Sequence, residues 1–220
     1  MSLWFCSHVA AEVIFTARPQ TWGRDTSMNL PNKLTISRLG LAGAFVLCFS
    51  VPIPFRFTGA LLTFLAAAVT DYLDGQIARK RGLITDFGKL MDPLADKILT
   101  ASAFICLCGV QIPDLRPFPE WAAIAIISRE FLITGLRSLA ASKGVVLPAE
   151  RLGKHKTLWQ MIAVIYFLLL LSLSDWTEFP AWLQTFWQVG LVCLVPTTVL
   201  LTVYSGLAYL RRHWDLIQTD

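Results

Sequence analysis

Charged residues are scarce in this 220-residue chain, and their scarcity excludes several classes of protein. Asp, Glu, Lys and Arg make up only 15% of the sequence, whereas hydrophobic residues make up 55%. With a mean hydropathy of +0.58, the chain is too apolar for an ordinary soluble domain. The net charge of +4 is not gathered into a dense basic patch, which argues against a nucleic-acid-binding protein. The composition instead indicates a membrane protein.

Motifs for zinc binding and for secretion are also missing. Cys106 and Cys108 have no further Cys or His partners at zinc spacing, and they are predicted to be free thiols together with Cys48 and Cys193, which also lie in apolar runs. Residues 3–17 are apolar but have no basic region before them, which argues against a signal peptide. This stretch is also short for a membrane span. Residues 1–28 are therefore predicted to be an N-terminal extension, either interfacial or disordered.

Six apolar segments follow, most of them near the roughly 20 residues that a membrane-spanning helix needs. They comprise residues 34–51, 57–79, 92–112, 121–141, 157–173 and 185–210. Prolines mark the turns between segments, and Pro196 is predicted to kink the sixth helix. The sequence therefore predicts an all-α integral membrane protein, with six transmembrane helices in one membrane domain at residues 29–220.

Lysine and arginine are concentrated in alternate connections between these segments. The rich regions are the N-terminal flank, the second and fourth connections and the C-terminus, with Arg24, Lys33, Arg38, Lys80, Arg81, Lys89, Lys143, Arg151, Lys154, Lys156, Arg211 and Arg212. By the positive-inside rule, both termini and the second connection face the cytoplasm. The prediction is a multi-pass membrane protein.

Four aspartates lie at the edges of the second and third apolar segments. Asp71 and Asp74 are spaced i, i+3, and Asp92 and Asp96 are spaced i, i+4, so on helices each pair shares one face. The short connection at residues 81–91 lets the two helices run antiparallel with these faces opposed. Clustered carboxylates repel one another unless cations neutralise them. Oxygen ligands in this number suit Mg²⁺ or Mn²⁺, and a solvated acidic loop is the alternative.

The aspartates belong to a longer pattern, Asp71-x2-Asp74-Gly75-x2-Ala78-Arg79-x8-Gly88-x3-Asp92-x3-Asp96. It resembles the complete signature of the CDP-alcohol phosphotransferases at all eight fixed positions and in every gap length. The resemblance implies that Asp71, Asp74, Asp92 and Asp96 hold two divalent cations, which bind the diphosphate of a CDP-linked lipid. It further implies that Asp96 is the general base and that the site is a polar cavity open to the cytoplasm.

Residues around the signature are implied by the same resemblance to border the cytidine nucleotide. These residues are Asn32, Thr35, Gly75, Ala78, Arg79 and Gly88. Each has a simpler alternative. Gly75 could serve tight packing of helices, Arg79 could extend to the membrane surface, and Asn32 could mark the start of a helix.

Charges inside the fourth apolar segment indicate a second polar site. Arg129 and Glu130 lie within this segment, and intramembrane charges usually face an interior cavity. Arg137 lies eight residues after Arg129 on the same helical face, while Lys154 and Lys156 begin the fifth segment. The four cations are predicted to bind a phosphate on the acceptor alcohol. An Arg129–Glu130 structural pair is the strongest alternative, and cytoplasmic flanking alone would explain Lys154 and Lys156.

The Arg-Glu pair, the later Arg137 and the run Gly153-Lys154-x-Lys156-Thr157 resemble the phosphatidylglycerophosphate synthase branch of the family, as do residues 28–37 and 91–97. This branch transfers a phosphatidyl group from CDP-diacylglycerol to sn-glycerol 3-phosphate in the bacterial inner membrane. Members of the family are commonly dimers, so the resemblance implies a homodimer. Met28 reads like the start of such a protein, so residues 1–27 are expected to be dispensable. Inositol phosphate, serine or phosphatidylglycerol are alternative acceptors. A cation transporter is the alternative from another class. The complete signature and the lack of an evident inverted repeat argue against it.

Overall fold

The computed structural model describes the backbone of residues 30–81, 86–112, 115–143, 145, 147, 151–176 and 180–214. The regular structure in these residues is entirely helical. The predicted N-terminal extension, residues 1–28, lies outside the described residues.

Six helical rods follow one another along the described chain. Five are single helices: α1 (Leu30–Ser50), α2 (Arg56–Arg81), α3 (Asp86–Cys108), α4 (Glu120–Ser142) and α5 (Arg151–Ser174). The sixth rod consists of α6 (Ala181–Val189), a π-helical turn (Gly190–Leu194) and α7 (Val195–Arg212). Each rod corresponds to one predicted apolar segment, so the all-helical prediction is confirmed for the described residues.

Several helices extend beyond the apolar segments that predicted them. α3 begins at Asp86 rather than at residue 92, and α5 begins at Arg151 rather than at residue 157. Helical hydrogen bonds join backbone groups, so a helix can continue past the end of its apolar stretch. The aspartate signature and the predicted acceptor residues consequently lie within helices rather than in loops.

Successive rods alternate in direction, because each short connection returns the chain to the bundle. One contact shows this directly for α2 and α5: the backbone N–H of Thr58, in the first turn of α2, donates to Asp175 Oδ2 just after the end of α5, at 2.6 Å. Because the connections are short, the end of α2 and the starts of α3 and α5 lie at one end of the bundle. We call this end the aspartate end and the opposite one the distal end.

Aromatic rings fill the distal half of the bundle. Phe104 of α3 packs against Phe118 at a centroid distance of 5.8 Å, and Phe118 packs edge-on against Phe167 of α5 at 5.3 Å. Phe167 contacts Trp187 of α6 at 4.8 Å, and the Trp187 indole N–H donates to the Arg116 carbonyl oxygen. All four rings are almost completely buried. This apolar core joins α3, α5 and α6 on the side away from the aspartates.

Large apolar side chains also cover the outward faces of the helices, as expected for a protein surrounded by lipid. Examples from six helices are Leu47, Leu62, Ile105, Ile124, Leu169 and Leu200. Two described stretches, His155–Ser174 and Ala181–Arg212, are long and apolar enough to cross a bilayer. Shorter apolar stretches occur in α1, α2 and α3. The chain is a helical membrane protein, and the number of six crossings stays a prediction.

The π-helical turn occurs where Pro196 was predicted to kink the sixth helix. Pro196 lies in the first turn of α7, and in a regular α-helix its ring would clash with the carbonyl of Val192, four residues earlier and inside the π-turn. The wider turn keeps the rod helical at this point. Successive buried positions are five residues apart, from Gly190 to Val195, rather than the usual three or four. The π-turn therefore sets which face α7 turns toward the interior.

Asp175 caps α2 from the end of a different helix. Its Oδ2 accepts hydrogen bonds from the Thr58 N–H and from the Thr58 hydroxyl, the latter at 2.9 Å. Beside it, the rings of Phe55 and Trp176 lie 4.7 Å apart. A carboxylate that satisfies a first-turn N–H stabilises a helix, and here it also fixes α2 against α5.

Replacing Asp175 by alanine is expected to destabilise the protein by about 1 kcal/mol, the typical value of a helix cap. This should lower the melting temperature by about 2–4 °C for a chain of this size, as measured by the thermal unfolding of purified protein. Asp175→Asn is the matched control, because its amide oxygen can still accept a hydrogen bond from the Thr58 N–H. Equal melting temperatures for Asp175→Ala and the wild type would show that the cap contributes nothing.

Candidate functional site

The four signature aspartates lie on two consecutive helices. Asp71 and Asp74 belong to α2, and Asp92 and Asp96 belong to α3. At a rise of 1.5 Å per residue, Asp74 and Asp92 lie about 10 Å from the helix termini that meet at the aspartate end. The predicted i, i+3 and i, i+4 spacings therefore fall on α-helices, and each pair of positions shares one side of its helix. The side chains themselves lie outside the described part of the structure.

The signature has the chemistry of a divalent metal site. Four carboxylates on two consecutive helices supply hard oxygen donors in the number that Mg²⁺ or Mn²⁺ accepts. Among the described side chains, no group of three or more His, Cys, Asp or Glu residues is placed to hold a metal. The four described cysteines are free thiols, as predicted: Cys48, Cys106, Cys108 and Cys193. The signature is thus the candidate metal centre, and its donor set fits the ions.

The predicted nucleotide-contacting positions gather at the aspartate end. Asn32 and Thr35 lie in the first turns of α1, Gly75, Ala78 and Arg79 lie near the end of α2, and Gly88 lies in the first turn of α3. Because successive rods alternate in direction, these three helix termini are at the same end of the bundle. Their side chains lie outside the described part of the structure, so their roles stay predictions.

A cluster of polar side chains is buried between α4 and α5, and we call it the Glu130 cluster. It consists of Arg129, Glu130, Lys156 and Gln160. Glu130 Oε1 forms an ion pair with Lys156 Nζ and lies 3.3 Å from Arg129 Nη1. The same oxygen accepts a hydrogen bond from Gln160 Nε2 at 3.4 Å. The Lys156 side chain is only 6% exposed, so this ammonium is held inside the protein rather than in bulk water.

Helix α7 closes the other side of the Glu130 cluster. Arg129 Nη2 donates to Ser205 Oγ at 3.2 Å, and Gln160 Nε2 donates to Thr202 Oγ1 at 3.2 Å. The Arg129 side chain lies across Gly206, where an added Cβ would be 2.9 Å from Arg129 Cγ. A larger residue at this position would displace the arginine.

The sequence analysis did not identify Gln160, Thr202 or Ser205 as site residues. The available signal was the presence of single polar residues inside long apolar segments. Such residues are common in membrane helices, where they hydrogen-bond across helix interfaces. Only their placement in the fold shows that all three contact the same cluster.

Of the four cations predicted to bind the acceptor phosphate, the described part of the structure brings two together. Arg129 and Lys156 are brought together by Glu130, so the Arg129–Glu130 pair that the sequence left as an alternative is present. Arg137 is exposed, and its Nη2 lies 3.5 Å from the Leu147 carbonyl oxygen in the connection after α4. The Lys154 side chain lies outside the described part of the structure.

A pocket lies between α3, α4 and α5 beside the Glu130 cluster. Its polar groups come from Lys97, Thr100, Glu130, Thr157 and Gln160, and the remaining lining is apolar. Lys97 directly follows Asp96, so the pocket adjoins the turn of α3 that carries the predicted base.

Comparison with known proteins shows which family the chain is similar to. The CDP-alcohol phosphatidyltransferase family model matches residues 28–205. The CDP-diacylglycerol–glycerol-3-phosphate 3-phosphatidyltransferase of Bacillus subtilis is 39% identical over 204 residues, which cover 87% of this chain and 98% of that protein. The CMP-forming cardiolipin synthase of Oryza sativa is 38% identical over 200 residues, which cover 86% of this chain and 59% of that protein.

A solved structure has the same fold. The crystal structure of Mycobacterium tuberculosis phosphatidylinositol phosphate synthase, in its apo form, superimposes with a TM-score of 0.57. The alignment covers 94% of this chain and 95% of that chain, at 19% sequence identity. The likeness therefore concerns the arrangement of the helices and not the choice of substrate.

Proposed function

Because the chain belongs to the CDP-alcohol phosphatidyltransferase family, we propose that it transfers the phosphatidyl group of CDP-diacylglycerol to sn-glycerol 3-phosphate. The products are phosphatidylglycerophosphate and CMP. The observation that carries the proposal is the complete eight-position signature, from Asp71 to Asp96, on the consecutive helices α2 and α3. The choice of acceptor is supported by the similarity to the Bacillus subtilis enzyme over nearly its whole length.

The proposed reaction is a displacement at phosphorus. The 1-hydroxyl oxygen of glycerol 3-phosphate attacks the β-phosphorus of CDP-diacylglycerol, and the bond from that phosphorus to the CMP oxygen breaks. The Asp96 carboxylate takes the hydroxyl proton as the new bond forms. Asp71, Asp74, Asp92 and Asp96 would hold two divalent cations, Mg²⁺ or Mn²⁺, which supply charge neutralisation for the diphosphate.

The remaining predicted residues bind the two substrates in this proposal. The cytidine nucleotide lies at the aspartate end, bordered by Asn32, Thr35, Gly75, Ala78, Arg79 and Gly88. The acceptor phosphate is bound by Arg129, Arg137, Lys154 and Lys156. Support for the acceptor site comes from Lys156, whose buried ammonium belongs to a cluster in contact with the helix that carries Asp96.

We also propose that all six rods cross the bacterial inner membrane, with the site and both termini in the cytoplasm. Basic residues end α2 and follow α4 at the aspartate end, as the positive-inside rule requires. Exposed aromatic residues mark the distal end, where they suit a membrane–water interface: Phe55, Trp121, Trp176 and Trp182. The proposed membrane domain comprises residues 29–220, and the proposed assembly is a homodimer.

The test supplies purified protein with CDP-diacylglycerol, Mg²⁺ and one alcohol at a time, and identifies the lipid product by mass spectrometry. Release of CMP and formation of phosphatidylglycerophosphate are expected with glycerol 3-phosphate alone. Cardiolipin formed from phosphatidylglycerol would instead support the second candidate, a CMP-forming cardiolipin synthase, which the similarity to the rice protein favours. Failure to release CMP with any of the alcohols would contradict the family reaction and leave cation transport as the alternative.

A further inference from the structure

Glu130 is the anion at the centre of the Glu130 cluster. One of its oxygens pairs with Lys156, lies 3.3 Å from Arg129 Nη1 and accepts a hydrogen bond from Gln160 at 3.4 Å. The Glu130 side chain is 16% exposed. A largely buried carboxylate is stable only when cations and hydrogen-bond donors compensate for its lost hydration. Glu130 and its three partners therefore hold one another in place.

The partners of Glu130 are in turn fixed by α7. Arg129 is bonded to Ser205 Oγ, and Gln160 is bonded to Thr202 Oγ1. The Ser205 hydroxyl donates to the Thr202 carbonyl oxygen at 2.9 Å, which orients Ser205 as well. Residues of α4, α5 and α7 thus determine the direction of one carboxylate.

The cluster is also joined to the helix that carries the proposed base. Lys97 Nζ donates to the backbone carbonyl oxygen of Glu130 at 3.5 Å, and Lys97 directly follows Asp96 in α3. The residue whose side chain holds Lys156 therefore contacts, through its backbone, the turn that bears Asp96. Any ligand of Lys156 is consequently placed at a fixed distance from that turn.

We propose that Glu130 is a positioning residue, which holds the Lys156 ammonium in the orientation that meets the phosphate of the acceptor alcohol. Glu130 itself touches neither substrate, and Gln160 supports it. The inference rests on the proposed function. A lysine ammonium is a point charge on a flexible stem, so its direction has to come from a partner. It has three N–H donors, so a pair with Glu130 is compatible with a phosphate contact. A cation oriented before binding avoids the cost of ordering it afterwards.

The test measures both KM values and the melting temperature for Glu130→Gln, which keeps the shape of the side chain and removes its charge. The KM for glycerol 3-phosphate should rise about tenfold, while the KM for CDP-diacylglycerol changes less than about twofold. A tenfold rise is the lower end of the effect expected when a residue that orients a ligand-binding side chain is lost. Gln160→Leu should shift the same KM in the same direction by a smaller factor. Thr185→Val is the matched control, because this exposed hydroxyl lies on α6, outside the Glu130 cluster, and bonds within its own helix, to the Ala181 carbonyl oxygen.

A double variant of Glu130 and Lys156 distinguishes a positioning role of Glu130 from a purely structural one. Lys156→Met should raise the KM for glycerol 3-phosphate in the wild type but add less than about twofold in the Glu130→Gln background, because the two residues act as one unit. Unchanged KM values in Glu130→Gln, or equal rises in both KM values with a lower melting temperature, would overturn the inference. If Glu130→Gln does not fold, Gln160→Leu decides by the same criteria. A wild type that makes no phosphatidylglycerophosphate would remove the proposed function and this inference with it.

Discussion

Asp92→Asn should release CMP from CDP-diacylglycerol about a thousandfold more slowly than the wild type, or not at all. The substitution keeps the size of the side chain and removes one charge from the four carboxylates of the candidate metal centre. Metal-supplied charge stabilisation amounts to several kcal/mol, and each 1.36 kcal/mol corresponds to about a tenfold change in rate. Asp71→Asn and Asp74→Asn should have effects of the same size. The measurement is the initial rate of CMP release at saturating concentrations of both substrates.

Asp86→Asn is the matched control for this series. Asp86 begins α3, the same helix, but it does not belong to the signature. This variant should retain wild-type turnover. Removal of metal ions by a chelator should stop the wild-type reaction, and added Mg²⁺ or Mn²⁺ should restore it. Full activity in excess chelator would contradict the two-metal proposal for the site.

Lys154→Ala should raise the KM for glycerol 3-phosphate by about tenfold or more, and Arg137→Ala should do the same. A lost hydrogen bond to a charged group costs about 1.5–3 kcal/mol, which corresponds to a factor of this size. Lys154 lies in the first turn of α5, two residues before the buried Lys156. The KM for CDP-diacylglycerol should change much less, because its diphosphate is assigned to the aspartates. Steady-state kinetics with each substrate varied in turn measure both values.

Arg211→Ala is the control for charge alone. Arg211 is exposed in the last turn of α7, so it also lies at the aspartate end, outside the proposed acceptor site. Its removal should leave both KM values unchanged. Equal shifts of both KM values in Lys154→Ala and Arg137→Ala would show that these cations do not select the acceptor. Arg137→Ala carries a further risk, because its bond to the Leu147 carbonyl oxygen holds the connection after α4.

The helices and the signature were predictable because their causes are local in the sequence. An apolar run of sufficient length predicts a helix in a bilayer without knowledge of its neighbours. The i, i+3 spacing of Asp71 and Asp74 acquires its meaning on a single helix, and so does the i, i+4 spacing of Asp92 and Asp96. The first residues of α3 and α5 were less predictable, because polar residues extend these helices on the N-terminal side of their apolar stretches.

The polar contacts around Glu130 were not predictable, because they depend on which helices become neighbours. Gln160, Thr202 and Ser205 are separated by tens of residues from Glu130. Gln160 reaches Glu130, Thr202 reaches Gln160 and Ser205 reaches Arg129 only after α4, α5 and α7 have packed. The same applies to Asp175, which caps a helix that begins more than a hundred residues earlier in the chain. For Arg129, the sequence supported two readings. The structure shows that Arg129 pairs with Glu130. The two residues are adjacent in the sequence, and that fact alone did not distinguish this pair from a phosphate-binding role of Arg129.

The five-residue π-turn at Gly190–Leu194 determines how the length of this chain can vary in evolution. Gly190 and Val195 are both buried and five residues apart, whereas an α-helix returns to the same face after three or four residues. Loss of a single residue from the turn would restore α-helical spacing, so Thr202 and Ser205 would still face Gln160 and Arg129. Loss of two residues would rotate α7 by about 100° and turn these hydroxyls away. Homologues without a proline at the position of Pro196 are therefore expected to include chains that are shorter here by one residue, but not by two.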